Sequence, residues 1–448
     1  MEALLFFIGL IILLAICWRY TSFSFYILIF LAPFLGLVVD FSQYSFAQKI
    51  PGLSSIQAPI ADLLAIVLFL ALILKNRRAN KNHPWQLWLT NLKETGLEFF
   101  LPFLIINLVS LFNLGSDQLG NSFKYFLRPI VFFYLMWIVL PYFVITTKTI
   151  AQKTIQVIVG SGLAAAFWGI ISVLLSGNNS LWKRITPGKI GGLSPLTYNH
   201  NILAEVLVLA VPLAFYFFLK NQKKPNHQTE KILFLSFLFL TLVALLTFSR
   251  AAWIALVFEI IVYWFCQKQK FPRSSTPPTQ LRWKKAGIIV AFLLPVIIYM
   301  GVFSLSYVVK SSTSTRLDMT EIAWTYFHAH PLIGNGTGTF TQLIGDTRLF
   351  TVEYGDPLDS HGVIQKLLAE TGALGLISFF IFVSWIISQL YQSAKLATEE
   401  KELKTLVLVS FLGCLVFQLF NTSYYNQHLW LMAGVGLAIK KVWPNHYL

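Results

Sequence analysis

The feature that most constrains this chain is a series of apolar runs, each close to the length of a bilayer-spanning helix. They lie near residues 3–18, 22–39, 58–74, 97–113, 125–146, 154–176, 199–219, 232–248, 251–266, 286–307, 373–391, 405–420 and 429–441. Lipid offers no water to backbone N–H and C=O groups, so only helices and closed barrels cross it. Barrel strands would be short and would alternate in polarity, whereas these runs are continuous. The sequence predicts an all-α polytopic membrane protein, a single membrane domain over residues 1–448 with about 12–14 transmembrane helices.

The longest run, residues 232–266, is nearly unbroken and sets a test of this interpretation. As one helix it would be about 50 Å long at 1.5 Å per residue, but the hydrocarbon core is only about 30 Å thick. The run must therefore turn. Its only polar break is Ser249-Arg250, so we expect Arg250 to lie at a membrane surface between two helices.

The basic residues predict which loops face the cytoplasm. The chain has 34 Lys and Arg against 19 Asp and Glu, a net charge of +15. Most of them occupy alternate short loops between apolar runs, as the positive-inside rule expects, so the charge does not indicate nucleic-acid binding. The remaining loops are predicted to face outward: 40–57, 114–124, 177–198, Ser249-Arg250, 308–361 and 421–428.

The longest of these outer loops, 308–361, is polar and predicted to contain short helices. Ser314-Thr315-Arg316-Leu317-Asp318 resembles a capping box that opens a helix. That would place Arg316 in a first turn, where the helix dipole disfavours a cation, and this misplacement favours a functional role. Asp359 and His361 end the loop directly before the helix that carries Glu370.

Three further outer features have both a structural and a functional interpretation. Arg184, in loop 177–198, precedes Asn199 at the head of a helix, which also fits a basic loop followed by an Asn cap. The position of Arg250 also fits a structural interpretation, in which an arginine at the bilayer surface extends toward lipid phosphates. The glycine-rich segment 331–338 lacks the Lys-Ser/Thr of a phosphate-binding P-loop, and we interpret it as a turn that redirects the loop.

Two carboxylates lie inside apolar runs, where a charge costs about 2.5–3.5 kcal/mol or more. Glu205 is close to the outer end, and we expect it to pair with an arginine. Glu259 is deeper, and two alternatives are open: it stays neutral, or it pairs with Arg128.

Metal and disulfide chemistry are not indicated. The three cysteines, Cys17, Cys266 and Cys414, lie in or beside apolar runs without paired spacing. The chain has no Asp-x-Asp pair and no HExxH, GxSxG or Walker motif. We therefore predict no metal site and no cofactor.

Taken together, the outer residues resemble the bacterial O-antigen ligase and polymerase superfamily, over a core of about residues 180–380. The resembling segments are Arg184 before Asn199-His200-Asn201-Ile202-Leu203-Ala204, then Ser249-Arg250-Ala251, then Arg316 through Trp324 to His330-Pro331-Leu332-Ile333-Gly334-Asn335-Gly336, and Ser360-His361 through Leu368-Ala369-Glu370-Thr371-Gly372-Ala373-Leu374-Gly375. Gly362 departs from the family pattern, which often has Asn after the histidine.

The resemblance implies a metal-independent, inverting glycosyltransferase in the bacterial inner (cytoplasmic) membrane, with its active site facing the periplasm. It would move a glycan from an undecaprenyl-pyrophosphate donor to an acceptor hydroxyl. Arginines suit bidentate phosphate contacts, so Arg184, Arg250 and Arg316 are the candidate pyrophosphate ligands. His361 is the candidate base, with Arg316 also assigned to the catalytic group. Asp359, Glu370 and Asn199 are candidate orienting groups.

Several functions remain open at this stage. A ligase would transfer the glycan to lipid A-core, which we favour, and a polymerase would transfer it to a second lipid-linked repeat unit. A different class is a small-anion transporter or lipid-linked sugar flippase, which should place charges near the midplane on broken helices. The arginines of this chain instead lie in predicted outer loops at one membrane surface. A scaffold with an outer interaction loop would not require them.

Overall fold

The computed structural model describes residues 2–49, 56–79, 90–175, 184–222, 227–268, 307–347, 359–396, 400–421 and 426–444. This part of the chain is almost entirely helical. The helices are α1 (Glu2–Arg19), α2 (Thr21–Leu31), α3 (Ser45–Gln48), α4 (Ile60–Ala79), α5 (Leu97–Ser110), α6 (Ser116–Val144), α7 (Lys148–Leu175), α8 (His200–Asn221), α9 (His227–Leu246), α10 (Arg250–Lys268), α11 (Tyr307–Ala329), α12 (Phe340–Asp346), α13 (Val363–Lys395), α14 (Lys401–Leu419) and α15 (Gln427–Val442). The predicted helical class is confirmed.

Seven of the described helices are long and apolar enough to cross a membrane. The number rises to eight if α1 and α2, which meet at a bend of 112°, form one broken span. The chain is thus a multi-pass membrane protein. Because most of the apolar run 286–307 lies outside the described residues, the count of 12–14 spans stays a prediction.

The turn expected within residues 232–266 is confirmed. α9 ends at Leu246 and α10 begins at Arg250. Phe248, in the turn, has a φ of +51°, a left-handed conformation that side chains with a Cβ rarely adopt. The surrounding packing must therefore hold this turn in shape, and it holds Arg250 at the same time.

The run 22–39 was wrongly predicted as a single helix. α2 ends at Leu31, directly before Ala32-Pro33, because proline supplies no N–H to continue the helical ladder. The chain then enters a short strand, β1 (Val38–Asp40), which pairs antiparallel with β2 (Gln57–Pro59). This small sheet closes the loop before α4.

The outer segment 308–361 also differs from its prediction. Instead of opening at Ser314, α11 begins at Tyr307 and runs for 23 residues. The stretch 307–316 contains neither Pro nor Gly, so no helix-breaking residue interrupts it. Ser314 and Thr315 therefore lie within the helix and do not cap its start. Arg316 therefore lies more than two turns into a helix, not in its first turn.

Two largely buried helices, α8 and α14, form the centre of the bundle and pack against each other. The Ser410 hydroxyl donates to the Leu209 carbonyl at 2.8 Å, and this bond joins them midway along their lengths. α9 and α10 lie farther out and expose large apolar side chains such as Ile232 and Trp264. Such faces suit lipid, which is as apolar as they are.

The loops predicted to face outward gather at one end of the bundle, which we call the outer end. There the Gly36 N–H donates to the Pro195 carbonyl at 2.8 Å. The Asn113 amide donates to the Gly334 carbonyl at 2.7 Å. These contacts join, in two pairs, four segments that lie in or next to predicted outer loops.

The basic loops gather at the opposite end. Lys220 Nζ lies 2.9 Å from Glu400 Oε1, and the Gln152 amide donates to the same oxygen at 3.3 Å. The start of α7 and the loops after α8 and α13 thus share one surface. That this surface is cytoplasmic stays a prediction from the positive-inside rule.

Candidate functional site

Arg184 is held at the outer end by the residue that follows it. Ile185 is buried, and its N–H donates to the Leu246 carbonyl at 2.9 Å, at the end of α9. This single backbone bond attaches the Arg184 loop to the helix that precedes the Arg250 turn. Trp182 and Lys183, which precede Arg184, lie outside the described residues.

Arg250 is the first residue of α10. The hydroxyl of its neighbour Ser249 donates to Asn201 Oδ1 at 2.9 Å. Because Asn201 is in the first turn of α8, the Arg250 turn is fastened to the head of that helix. Three elements that are distant in sequence, the 184 loop, α8 and the α9–α10 turn, therefore meet here.

The helix that carries Arg316, α11, contacts the helix that follows His361, α13. Thr320, one turn after Arg316, accepts a hydrogen bond from the side chain of Gln365, one turn after His361. The buried Nε of Arg316 has no hydrogen-bond partner among the described residues. A buried guanidinium N–H without a partner is costly, so this atom is suited to an anionic ligand.

Two residues flanking His361 set the start of α13. The Ser360 hydroxyl is buried, donates to the Gly362 carbonyl at 2.6 Å, and accepts from the Gly362 N–H at 3.1 Å. A Cβ on Gly362 would lie 2.8 Å from the carbonyl oxygen of Leu419. This contact leaves little room for a side chain at position 362.

Arg184 and Arg316 each lie within electrostatic range of Arg250. Burial lowers the pKa of the Arg184 guanidinium, and the charge of Arg250 lowers it further. The same two causes, in the same order, lower the pKa of Arg316. Like charges brought together in a partly buried place repel one another, so the cluster is poised to bind an anion.

His361 belongs to the same cluster. Burial lowers the pKa of its imidazole to about 4, and the charges of Arg316 and Arg250 act in the same direction while Asp359 opposes them. At neutral pH the ring is therefore uncharged and able to accept a proton.

A second histidine joins the cluster without having been predicted as a site residue. The charges of Arg184 and Arg316 both act on the imidazole of His200, the first residue of α8. Its sequence signal is a titratable side chain next to a helix cap at the outer end. The capping pattern of Asn199 explains this segment without a functional role, so the pattern did not indicate His200 as a site residue. We call Arg184, Arg250, Arg316, His200 and His361 the arginine–histidine cluster.

Asn199 caps α8. Its side-chain oxygen accepts from the Asn201 N–H at 2.8 Å, as the structural interpretation expects. The cap determines where the helix starts and thereby places His200. An orienting role for Asn199 in a reaction stays a prediction.

Asp359 and Glu370 meet at Lys366, a residue that sequence reasoning missed. Lys366 Nζ lies 2.5 Å from Asp359 Oδ1 and 3.6 Å from Glu370 Oε1. Glu370 is fully buried and also accepts from the Phe340 N–H at 3.1 Å. Glu370 therefore holds the start of α12 against α13, whereas Asp359 lies only two residues before His361 in the chain. The sequence does contain a signal for this ion pair, since Lys366 stands four residues before Glu370 on an apolar helix.

The glycine-rich segment 331–338 packs its backbone against a kink in α13. The N–H groups of Asn335 and Gly336 donate to the carbonyls of Ala369 and Glu370 at 3.0 and 2.9 Å. Gly334 has a φ of +69°, and a Cβ there would lie 2.3 Å from the Glu370 backbone. The N–H groups that a phosphate cradle would need are thus used within the protein, which agrees with the interpretation as a turn.

The arginine partner expected for Glu205 was wrong, and so was the alternative that pairs Glu259 with Arg128. Glu205 Oε2 lies 3.4 Å from His428 Nδ1 and accepts from the Asn426 amide at 3.0 Å, so its neighbours are not arginines. Arg128 pairs instead with Asp62 at 2.7 Å. Within the described part of the chain, Glu259 Oε1 has no hydrogen-bond partner. These partners come from distant helices, which explains why spacing did not identify them.

No group of three or more His, Cys, Asp or Glu side chains is arranged to hold a metal ion within the ranges that the structure describes. The metal-independent reaction stays a prediction. In the same ranges, the guanidinium groups of Arg184 and Arg316 each lie in electrostatic range of Arg250 and concentrate positive charge there.

Comparison with known proteins identifies part of the chain. Residues 235–380 match the family model described as O-antigen ligase. The match runs from α9 into α13 and contains Arg250, Arg316 and His361, but it leaves out Arg184 and the head of α8. None of the curated proteins matches the chain significantly. The predicted resemblance is confirmed over the matched segment. The chain is a multi-pass membrane enzyme that carries an O-antigen ligase domain over residues 235–380.

Proposed function

We propose that the protein transfers a glycan from an undecaprenyl-pyrophosphate donor to lipid A-core at the periplasmic face of the inner membrane. Glycan transfer of the O-antigen ligase and polymerase type follows from the matched domain. The donor, the acceptor and the orientation are the proposed part. The observation that carries the proposal is that the charges of Arg316 and Arg250, from separate elements, both act on the neutral imidazole of His361, while Arg184 lies in electrostatic range of Arg250.

The diphosphate of the donor suits the arginines in charge and shape. A guanidinium presents a planar fork of donors that matches phosphate oxygens. Arg184, Arg250 and Arg316 approach from a loop, a turn and a helix, so they can contact different oxygens of one diphosphate. The buried Arg316 Nε supplies a donor that has no partner among the described residues.

The reaction we propose is a single displacement at the anomeric carbon. The acceptor oxygen forms the new bond to that carbon while the bond to the diphosphate oxygen breaks, which inverts the anomeric centre. The electron pair leaves with the diphosphate, whose growing charge the arginines stabilise. The acceptor proton passes to His361, and Asp359 stabilises the imidazolium.

Donor binding should also strengthen the base. In the free protein the arginine charges help to hold the His361 pKa at about 4. Because the diphosphate carries negative charge, its binding would offset those charges and raise the pKa of the imidazole. His361 would thus become a better proton acceptor only when the donor is in place.

The pH dependence of transfer tests this coupling. We expect the acid limb of kcat/KM for the donor, which reports the free enzyme, to fall near pH 4. The acid limb of kcat, which reports the donor complex, should lie at least about one pH unit higher. Both are measured from initial rates between acidic and neutral pH. Coincident limbs, or a kcat limb at lower pH, would contradict the coupling.

The acceptor is tested with purified protein and lipid-linked oligosaccharide, with either lipid A-core or a second lipid-linked unit offered. We expect product only with lipid A-core, and we expect a chelator of divalent ions to leave the rate unchanged. Product formed on the second lipid-linked unit would assign polymerase activity instead. Loss of activity with chelator, restored by a divalent ion, would contradict metal independence.

A further inference from the structure

A cavity lies outside the arginine–histidine cluster, and no residue of that cluster lines it. It has a volume of about 710 Å³ and lies between the first half of α6 and α12, within the size range of small-ligand pockets. Its principal lining side chains are Gln118, Asn121, Tyr125, Thr341, Gln342 and Asp346. We call it the α6–α12 cleft.

The two helices present polar faces to each other across the cleft. Gln118, Asn121 and Tyr125 recur at the spacing that places residues on one side of a helix. Thr341 and Gln342 face them from α12. Helices that pack directly normally meet through apolar side chains. Amides and hydroxyls on both walls leave a space that suits a polar ligand.

The lining chemistry favours a saccharide over a phosphate. Amide side chains both donate and accept hydrogen bonds, as sugar hydroxyls do, and one aromatic ring, Tyr125, offers a surface for the C–H face of a pyranose. Two cations, Lys124 and Arg128, also line the cleft together with the carboxylate of Asp346. The Nε of Arg128 lies 2.7 Å from Asp62 Oδ2, so an internal carboxylate already balances its charge.

The cleft adjoins the proposed base through one lysine. Lys366 Nζ lies 6.0 Å from the centroid of the Tyr125 ring and 2.5 Å from Asp359 Oδ1. Asp359 precedes His361 by two residues. A sugar chain in the cleft would therefore lie next to the Asp359–Lys366 pair that borders His361.

We infer that the α6–α12 cleft binds sugar residues of a substrate while the arginine–histidine cluster holds the diphosphate. The inference rests on the proposed function. The sugar belongs either to the acceptor or to the glycan of the donor, since the recognising chemistry is the same. Such a subsite would hold the chain in register beside His361, so its loss should weaken substrate binding more than it slows the reaction.

The test uses the full-length protein in lipid nanodiscs and the double variant Asn121→Ala/Gln342→Ala. Removing two hydrogen-bonding amides should raise the KM of one substrate about tenfold, with kcat within about twofold of the original. Thr325→Ala is the matched control, because Thr325 is exposed on α11 and does not line the cleft. Saturation-transfer NMR also measures direct binding of two probes: oligosaccharide released from the donor by mild acid, and delipidated acceptor glycan.

The substrate whose KM rises identifies the source of the sugar. Unchanged KM for both substrates, together with unchanged binding of both probes, would overturn the cleft assignment even if transfer is normal. If the wild-type protein transfers no glycan at all, the proposed function fails separately. In that case weaker probe binding by the double variant still supports the cleft, and equal binding overturns it.

Discussion

Replacement of His361 by alanine is expected to reduce kcat for glycan transfer by about 10²–10⁴-fold, the usual contribution of a general base. The imidazole is neutral in the free protein because burial and two arginine charges lower its pKa to about 4. Without the imidazole, no positioned group would take the proton from the acceptor hydroxyl. The donor KM should change little, since the arginines, and not His361, are the proposed ligands of the diphosphate. Initial rates with purified protein and lipid-linked donor measure both constants.

His227→Ala is the matched control, because His227 is exposed at the start of α9, at the end of the bundle opposite to His361. It should transfer glycan at the original rate. Size-exclusion profiles and thermal unfolding in detergent establish that His361→Ala is folded, and His361→Asn provides a second variant with a polar side chain. Near-normal kcat in both folded His361 variants would remove this residue from the mechanism.

Replacement of Arg316 by alanine is expected to lower kcat/KM by about 10²–10³-fold, comparable to losing one donor that stabilises transition-state charge. Its Nε is buried without a hydrogen-bond partner among the described residues, and Arg250 is within electrostatic range. Both features indicate a donor held ready for an anion. Arg316→Lys should recover only part of the loss, because lysine keeps the charge but lacks the planar fork.

Arg78→Ala is the control for charge removal, since Arg78 is exposed in the last turn of α4 on a loop predicted to be cytoplasmic. Its activity should match that of the wild-type protein. A complete recovery by Arg316→Lys would show that charge alone suffices and would contradict a bidentate contact. Equal activity of Arg316→Ala and Arg78→Ala would exclude Arg316 from donor binding.

The arginine–histidine cluster has a consequence for stability as well as for catalysis. The Arg250 guanidinium is in electrostatic range of both Arg184 and Arg316, and the repulsion between these like charges is relieved when an anion binds. This repulsion destabilises the folded protein, and binding of the negatively charged donor proposed here would offset it. This is consistent with the general observation that binding sites often hold charges that the fold alone would not favour.

Much of the site was predictable from local sequence. The break at Ser249-Arg250 followed from the mismatch between one long apolar run and the bilayer thickness, and it is confirmed. Arg184, Arg316 and His361 were singled out as polar residues in outer loops, and the structure brings them together. Their roles stay predictions until the variants are measured.

Other parts were not predictable because their cause lies far along the chain. The buried Lys366 is explained only by Asp359 and Glu370 packed around it. His200 becomes a site residue only when the 184 loop and α11 are placed beside α8. The start of α11 at Tyr307 was missed because a local capping pattern was given more weight than the absence of any helix-breaking residue before it.

Run length and charge distribution were enough to establish a helical, multi-pass protein, since bilayer thickness and backbone hydrogen bonding act on each segment separately. The family of the 235–380 segment could likewise be inferred from residue types in order along the chain. Which side chains meet depended on helix packing between distant segments. The pairing of Glu205 with His428, the kink of α13 and the α6–α12 cleft arise only there, because contacts across a bundle depend on how every intervening helix is placed.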